Sequence, residues 1–143
     1  MSKRPRRLLN ISSRSPDVRH LSAIACLLVA LAFTLTPMAP GGQVDTRDFS
    51  ELPRWQFNLF NVFLISLGVA SLATAGFAIA EVGGSLVVAL VIGILYTAVF
   101  ALDLGRVFPV VKDALPSQLL VLEVASLALA GVVMTLAIKG LVS

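Results

Sequence analysis

The sequence predicts an all-α integral membrane bundle of four transmembrane helices, with its N-terminus and C-terminus cytoplasmic. Three observations predict it. First, 57% of the 143 residues are hydrophobic and only 13% are charged, against about 25% charged in ordinary soluble domains. A single water-surrounded core of this size cannot hide so much apolar surface. Second, the apolar residues gather into four runs, and about 20 such residues in a helix cross a hydrocarbon layer of about 30 Å. Third, the prolines and glycine pairs stand between these runs, not in their middles. Strands are excluded because the runs are too long and do not alternate in polarity. An open sheet in lipid would also leave backbone groups unpaired.

Residues 1–19 form a basic cytoplasmic arm, and residues 20–143 the four-helix transmembrane domain. The arm carries Lys3, Arg4, Arg6, Arg7, Arg14 and Arg19, opposed only by Asp17. It lacks the interleaved aromatics of a nucleic-acid strand binder, so no nucleic-acid partner is expected. Basic flanks of this kind orient membrane helices.

The first span is expected over residues 21–38. Its basic flank and apolar run also fit a signal peptide. The arm is long for that role, however, and the region around Met38 and Pro40 lacks a small-x-small cleavage site, so a retained signal anchor is expected. Pro37, Pro40, Gly41 and Gly42 end this span. The second span is expected over 57–80, with Trp55, Phe57 and Phe60 as interface anchors. Gly83 and Gly84 make a tight turn, so the second and third spans should be antiparallel neighbours. The third span is expected over 85–102. Gly105, Pro109 and Pro116 follow it, and Ser117 is the expected N-cap of the fourth span, over 119–138. Residues 45–53 and 107–115 are candidates for short interfacial helices.

Cations fix the orientation. With the N-terminus inside, the inner side holds the six arm cations and Lys139, while the outer side holds Arg47, Arg54, Arg106 and Lys112. Acids balance the outer set: Asp45, Asp48 and Glu51 in one loop, Asp103 and Asp113 in the other.

Small residues recur at fourfold spacing: Ser85, Ala89, Gly93, Thr97 and Ala101 in the third span, with Gly105 continuing. The second has Ser66, Ala70, Thr74 and Ala78, and the first Ser22, Cys26, Ala30 and Thr34. Residues four apart share a helix face. In lipid such residues let backbones approach closely and so drive helix packing. The third span is therefore expected to be the most buried, with Val87, Val88, Val91 and Ile92 facing outward.

Glu123 is the leading functional candidate. A carboxylate in hydrocarbon costs on the order of 2.5–3.5 kcal/mol at the centre, so it needs a purpose or a partner. Arg106 and Lys112 are the expected partners. Asp103 and Arg106, three apart, are expected to pair on one helical face. Tyr96 lies mid-span and needs a hydroxyl partner. Asn58 and Asn61 sit at the start of the second span. The lone Cys26 and lone His20 make no metal, redox or haem site. No nucleophile–base set and no phosphate-cradling loop is present. No cofactor is therefore expected, and the chain is not expected to be an enzyme.

The function expected first is a non-enzymatic accessory or scaffold subunit of a larger membrane complex. A small homo-oligomeric transporter or channel using Glu123 comes second, and a membrane enzyme acting on lipid or quinone third. In length and helix count the chain resembles the small multidrug carriers. Those depend on a glutamate in their first helix, where this chain has no acid. The expected partners are the lipid bilayer and either a membrane protein or further copies of the chain. The expected location is the cell membrane, multi-pass, with the bacterial inner membrane as the compositional default.

Overall fold

The computed structural model describes residues 17–143, and Lys3, Arg4, Arg6, Arg7 and Arg14 of the basic arm lie outside the described residues. The described chain is four helices: α1 Val18–Met38, α2 Arg54–Ile79, α3 Ser85–Leu104 and α4 Ser117–Val142. Each is long and apolar enough to cross a membrane.

The helices run up and down in sequence order. α1 packs most extensively on α2, and α3 on α4, while α1–α4 and α2–α3 contacts close the ring. The connections 39–53 and 105–116 lie together at one end, joined by Lys112–Glu51 and Asp48–Asp113 bonds. The start of α1, the end of α4 and the α2–α3 turn share the other end, where Gly140 of α4 approaches Leu86 of α3.

Prolines shape the helix ends. Pro53 and Pro116 are the N-caps of α2 and α4, with φ of −54° and −57°. The pyrrolidine ring fixes such angles in advance. α2 therefore starts at Arg54 and α4 at Ser117, earlier than the apolar runs alone suggest. Ser117 is the first helical residue rather than the cap. Pro37 sits inside the last turn of α1, where the helix is already ending.

Two helices end alike. The N–H of Val82 donates to the Phe77 carbonyl and that of Glu81 to Ala78. Val107 donates to Leu102 and Arg106 to Asp103 in the same way. This is the Schellman closure, which requires a left-handed residue just past the helix. Glu81 and Arg106 fill that position, each with φ of +54°. Residues 45–53 and 107–115 carry no helix. They are irregular segments tied down by the side-chain bonds described below.

The small-residue stripes are only partly on the packed faces. In α3, Ser85, Ala89 and Gly93 are buried, Thr97 is half-buried and Ala101 exposed. A helix turns about 100° per residue. Fourfold spacing therefore drifts by about 40° per step, and the buried face passes instead to Ile92, Tyr96, Phe100 and Asp103. Ile92 thus points inward, while Val87, Val88 and Val91 are exposed. In α2, Thr74 and Ala78 are buried, Ala70 is half-buried and Ser66 is exposed. In α1, Ser22 and Cys26 are exposed, and Ala30 and Thr34 half-buried. The buried face of α1 is made of Leu21, Ile24, Leu28, Leu31 and Leu35 instead. α1 is the most enclosed helix, with 39% of its apolar stretch buried against 33% for α3.

Gly93 marks a close α3–α4 approach. A Cβ there would stand 2.6 Å from Met134 Cγ and 3.4 Å from the Ala130 carbonyl oxygen. Gly93→Leu overfills this contact and should cost about 1–3 kcal/mol, read as a lower Tm in detergent micelles. Gly131→Ala, with nothing within 4 Å of the added carbon, should leave Tm unchanged. Equal melting of Gly93→Leu and the parent protein would remove this contact from the packing argument.

Candidate functional site: a buried ionic cluster

The site begins with the turn after α1. Gly42 donates its N–H to the Ala39 carbonyl at 2.7 Å, and Val44 donates to Pro37 at 3.2 Å. A Cβ on Gly42 would lie 2.7 Å and 2.8 Å from two carbonyl oxygens, so only glycine fits this fold-back. The turn swings residues 45–47 over the end of the bundle.

There Arg47 is clamped between two carboxylates. Its Nε and Nη2 donate to Asp45 Oδ1 and Oδ2, both at 2.8 Å. Its Nη1 and Nη2 donate to Asp103 Oδ1 and Oδ2 at 2.7 and 2.9 Å. Both edges of the guanidinium are thus engaged in paired bonds, the geometry that arginine's planar fork favours. The Arg47 backbone N–H also donates to Asp45 Oδ1 at 3.3 Å, and the guanidinium carbon lies 5.4 Å from the centre of the Phe49 ring. Only 7% of Arg47 is exposed. Burial opposes its charge, yet the hydrogen bonds and charges of Asp45 and Asp103 outweigh that and hold its pKa above the ordinary arginine value.

The two long-range acids arrive by helical phase. Tyr96, Phe100 and Asp103 follow one another at four- and three-residue spacing on the buried face of α3. In α4 the buried residues are Leu119, Glu123, Ser126, Ala130, Val133 and Ala137. This alternation carries Glu123 inward beside Asp103. Its carboxyl borders a small cavity that Asp103 and Asp45 also line. Glu123 is 2% exposed, and its Oε2 has no hydrogen-bond partner.

The partners expected for Glu123 are elsewhere. Arg106 is exposed and donates to the backbone carbonyls of Val111 and Asp113 at 3.3 and 2.6 Å. Lys112 pairs with Glu51 at 2.6 Å on the surface. Asp103 pairs with Arg47, not Arg106, because Arg106 lies past the helix end in the left-handed region. Nearby, Asp48 accepts the Ser50 backbone N–H at 2.8 Å. That bond, with a side-chain bond from Ser50, holds the Asp48 carboxyl below its usual range.

The remaining candidates sit apart from the cluster. The Tyr96 hydroxyl lies 3.2 Å from Ser71 Oγ, and Ser71 donates to the Leu67 carbonyl at 2.7 Å. Tyr96 thus has its partner inside the bundle. Asn61 lines an apolar groove of about 340 Å³ between α1 and α2, and Asn58 is exposed. His20 is half-buried at the start of α1, and Cys26 is exposed and free. Among the described residues no group of three or more His, Cys, Asp or Glu is placed to hold a metal ion.

These features define an all-helical four-helix bundle sealed at one end by an arginine–carboxylate cluster. The family described as a domain of unknown function (DUF8051) matches residues 20–143, which include α1 from its third residue on, the other three helices and every member of the cluster. The chain belongs to that family. No curated protein and no solved structure matches it.

Arg47→Met leaves Asp45 and Asp103 buried without a counter-charge, which should cost about 3–5 kcal/mol. Further replacement by Asp45→Asn and Asp103→Asn should recover most of that loss. Lys112→Ala, at a pair 83% and 69% exposed, should cost at most about 1 kcal/mol. Denaturation in detergent micelles would rank the variants. A Lys112→Ala loss as large as that of Arg47→Met would contradict the assignment of the clamp.

Proposed function

We propose that this chain is a multi-pass protein of the bacterial inner membrane, with both termini cytoplasmic. In this reading it serves as a non-enzymatic scaffold or accessory subunit that docks a helix of a larger membrane complex against α2. The observation that carries the reading is the outer face of α2. Val62, Ser66, Val69, Ala73, Gly76 and Ala80 recur there at three- and four-residue spacing, and all are exposed. They lie opposite the buried residues Leu64, Leu67, Ser71, Thr74 and Ala78. Nothing lies within 4 Å of the place a Gly76 Cβ would occupy. A low-relief face of small residues lets a second helix approach closely in lipid.

Two further observations support it. Leu28, Leu31, Tyr96 and Val133 fill the middle of the bundle and are fully buried, which favours a solid support over a conduit. The excess of cations at the N-terminal side supports the orientation.

The test is fractionation followed by purification in a mild detergent. The chain should stay in the membrane pellet through an alkaline wash and then copurify with one membrane protein in fixed ratio. Ala73→Leu with Gly76→Leu should abolish that association and leave the melting of the isolated chain unchanged. Recovery from the supernatant, recovery alone, or an association indifferent to the two leucines would each refute the reading.

A further inference from the structure

One buried oxygen in the ionic cluster has no donor. Glu123 Oε2 lies on a side chain that is 98% enclosed, being 2% exposed. The carboxyl borders a cavity of about 10 Å³ that Asp45 and Asp103 also line. A space of that size admits about one water molecule. Towards this cavity α1 presents Leu35 and Met38, α2 presents Phe60 and Leu64, and α3 adds Phe100. The charged groups around this cavity are therefore Asp103 from α3, Asp45 from the α1–α2 connection, and Arg47, which is bonded to both.

The charges of this set do not cancel. Three carboxyls line this cavity and one guanidinium is bonded to two of them, so full ionisation would leave two negative charges in excess beside apolar walls. The guanidinium is already committed to Asp45 and Asp103 on both edges. Arg106 and Lys112 are engaged at the surface. Two carboxyls sharing one dry site cannot both ionise readily, and one proton between them relieves the repulsion. It also supplies the hydrogen-bond donor that the pair lacks.

We infer that Glu123 and Asp103 form a proton-binding site, in which the two carboxyls hold one proton between them and the adjoining cavity seats the water that exchanges it. The proton arrives from a hydronium ion through that water and leaves by the same route. Only an O–H bond is made or broken. The proposal is independent of the α2 face and of any partner.

The test is infrared spectroscopy of the full chain in lipid vesicles. At neutral pH the wild-type protein should show the C=O stretch of one protonated carboxyl, which shifts on transfer to heavy water and disappears in one step under alkaline conditions. Glu123→Gln should lose that band, and Glu51→Gln, altering an exposed surface carboxyl, should keep it. Asp103→Asn removes the second member of the pair and should move or abolish the band. A wild-type spectrum without a protonated carboxyl at neutral pH would overturn the proposal whatever the variants do. A band that survives unchanged in Glu123→Gln would overturn it as well.

Discussion

The structure depends on where one positive charge is placed. Arg47 belongs to a connection that has no secondary structure of its own, yet it is among the most enclosed charged residues described. Removing a guanidinium from water costs several kcal/mol unless its donors are met. Asp45, two residues away, meets one edge, and Asp103, 56 residues away, meets the other. The first pairing is local and shapes the loop. The second is tertiary and fixes the loop to the last turn of α3. With Glu123 arriving from α4, the cluster gathers three separate stretches of chain at one end of the bundle. Lysine would carry the same charge but could not span two carboxylates with four aligned bonds.

The surface bonds around this cluster belong to a weaker tier. Lys112–Glu51 and the Asp48 backbone bond to Asp113 join the same two connections, but in water. Exposed pairs contribute little and are screened by salt. They trim the geometry of loops that the buried clamp has already placed. The difference between the tiers comes from desolvation, since the bond lengths are alike.

The helices were legible in the sequence because four apolar runs separated by prolines and glycines leave no competing assignment. Their ends were less legible, since Pro53 and Pro116 start α2 and α4 ahead of the apolar runs. Glu123 stood out as a carboxylate in an apolar run, but neither its inward position nor its neighbours were read from the sequence. Asp103 and Arg106 stand at a spacing that would pair them within a continuous helix. The helix stops between them, and the backbone turns Arg106 away. Nothing in the local pattern joins Arg47 to Asp103, because that contact arises only when the Gly42 turn folds the connection back across the bundle. A usable sign was present in the three–four spacing of Tyr96, Phe100 and Asp103, which places the acid on an aromatic, inward face. The small-residue stripes lie only partly on the packed faces for a geometric reason, since a period of four is not the period of the helix.

Most hydroxyls in the spans are satisfied by their own helix. Ser66, Ser71, Thr74, Thr97 and Thr135 each donate to the carbonyl four residues back. Among the described residues, the polar links across the bundle's middle are Ser126 to Thr34 and Tyr96 with Ser71. The buried ionic clamp stands at one end of the bundle, where it ties the α1–α2 connection to α3, and at the other end Leu86 packs against Gly140. Parting α3 from that connection breaks both Asp103 bonds to the guanidinium together and strands two opposite charges, so this joint behaves as a latch that yields all at once.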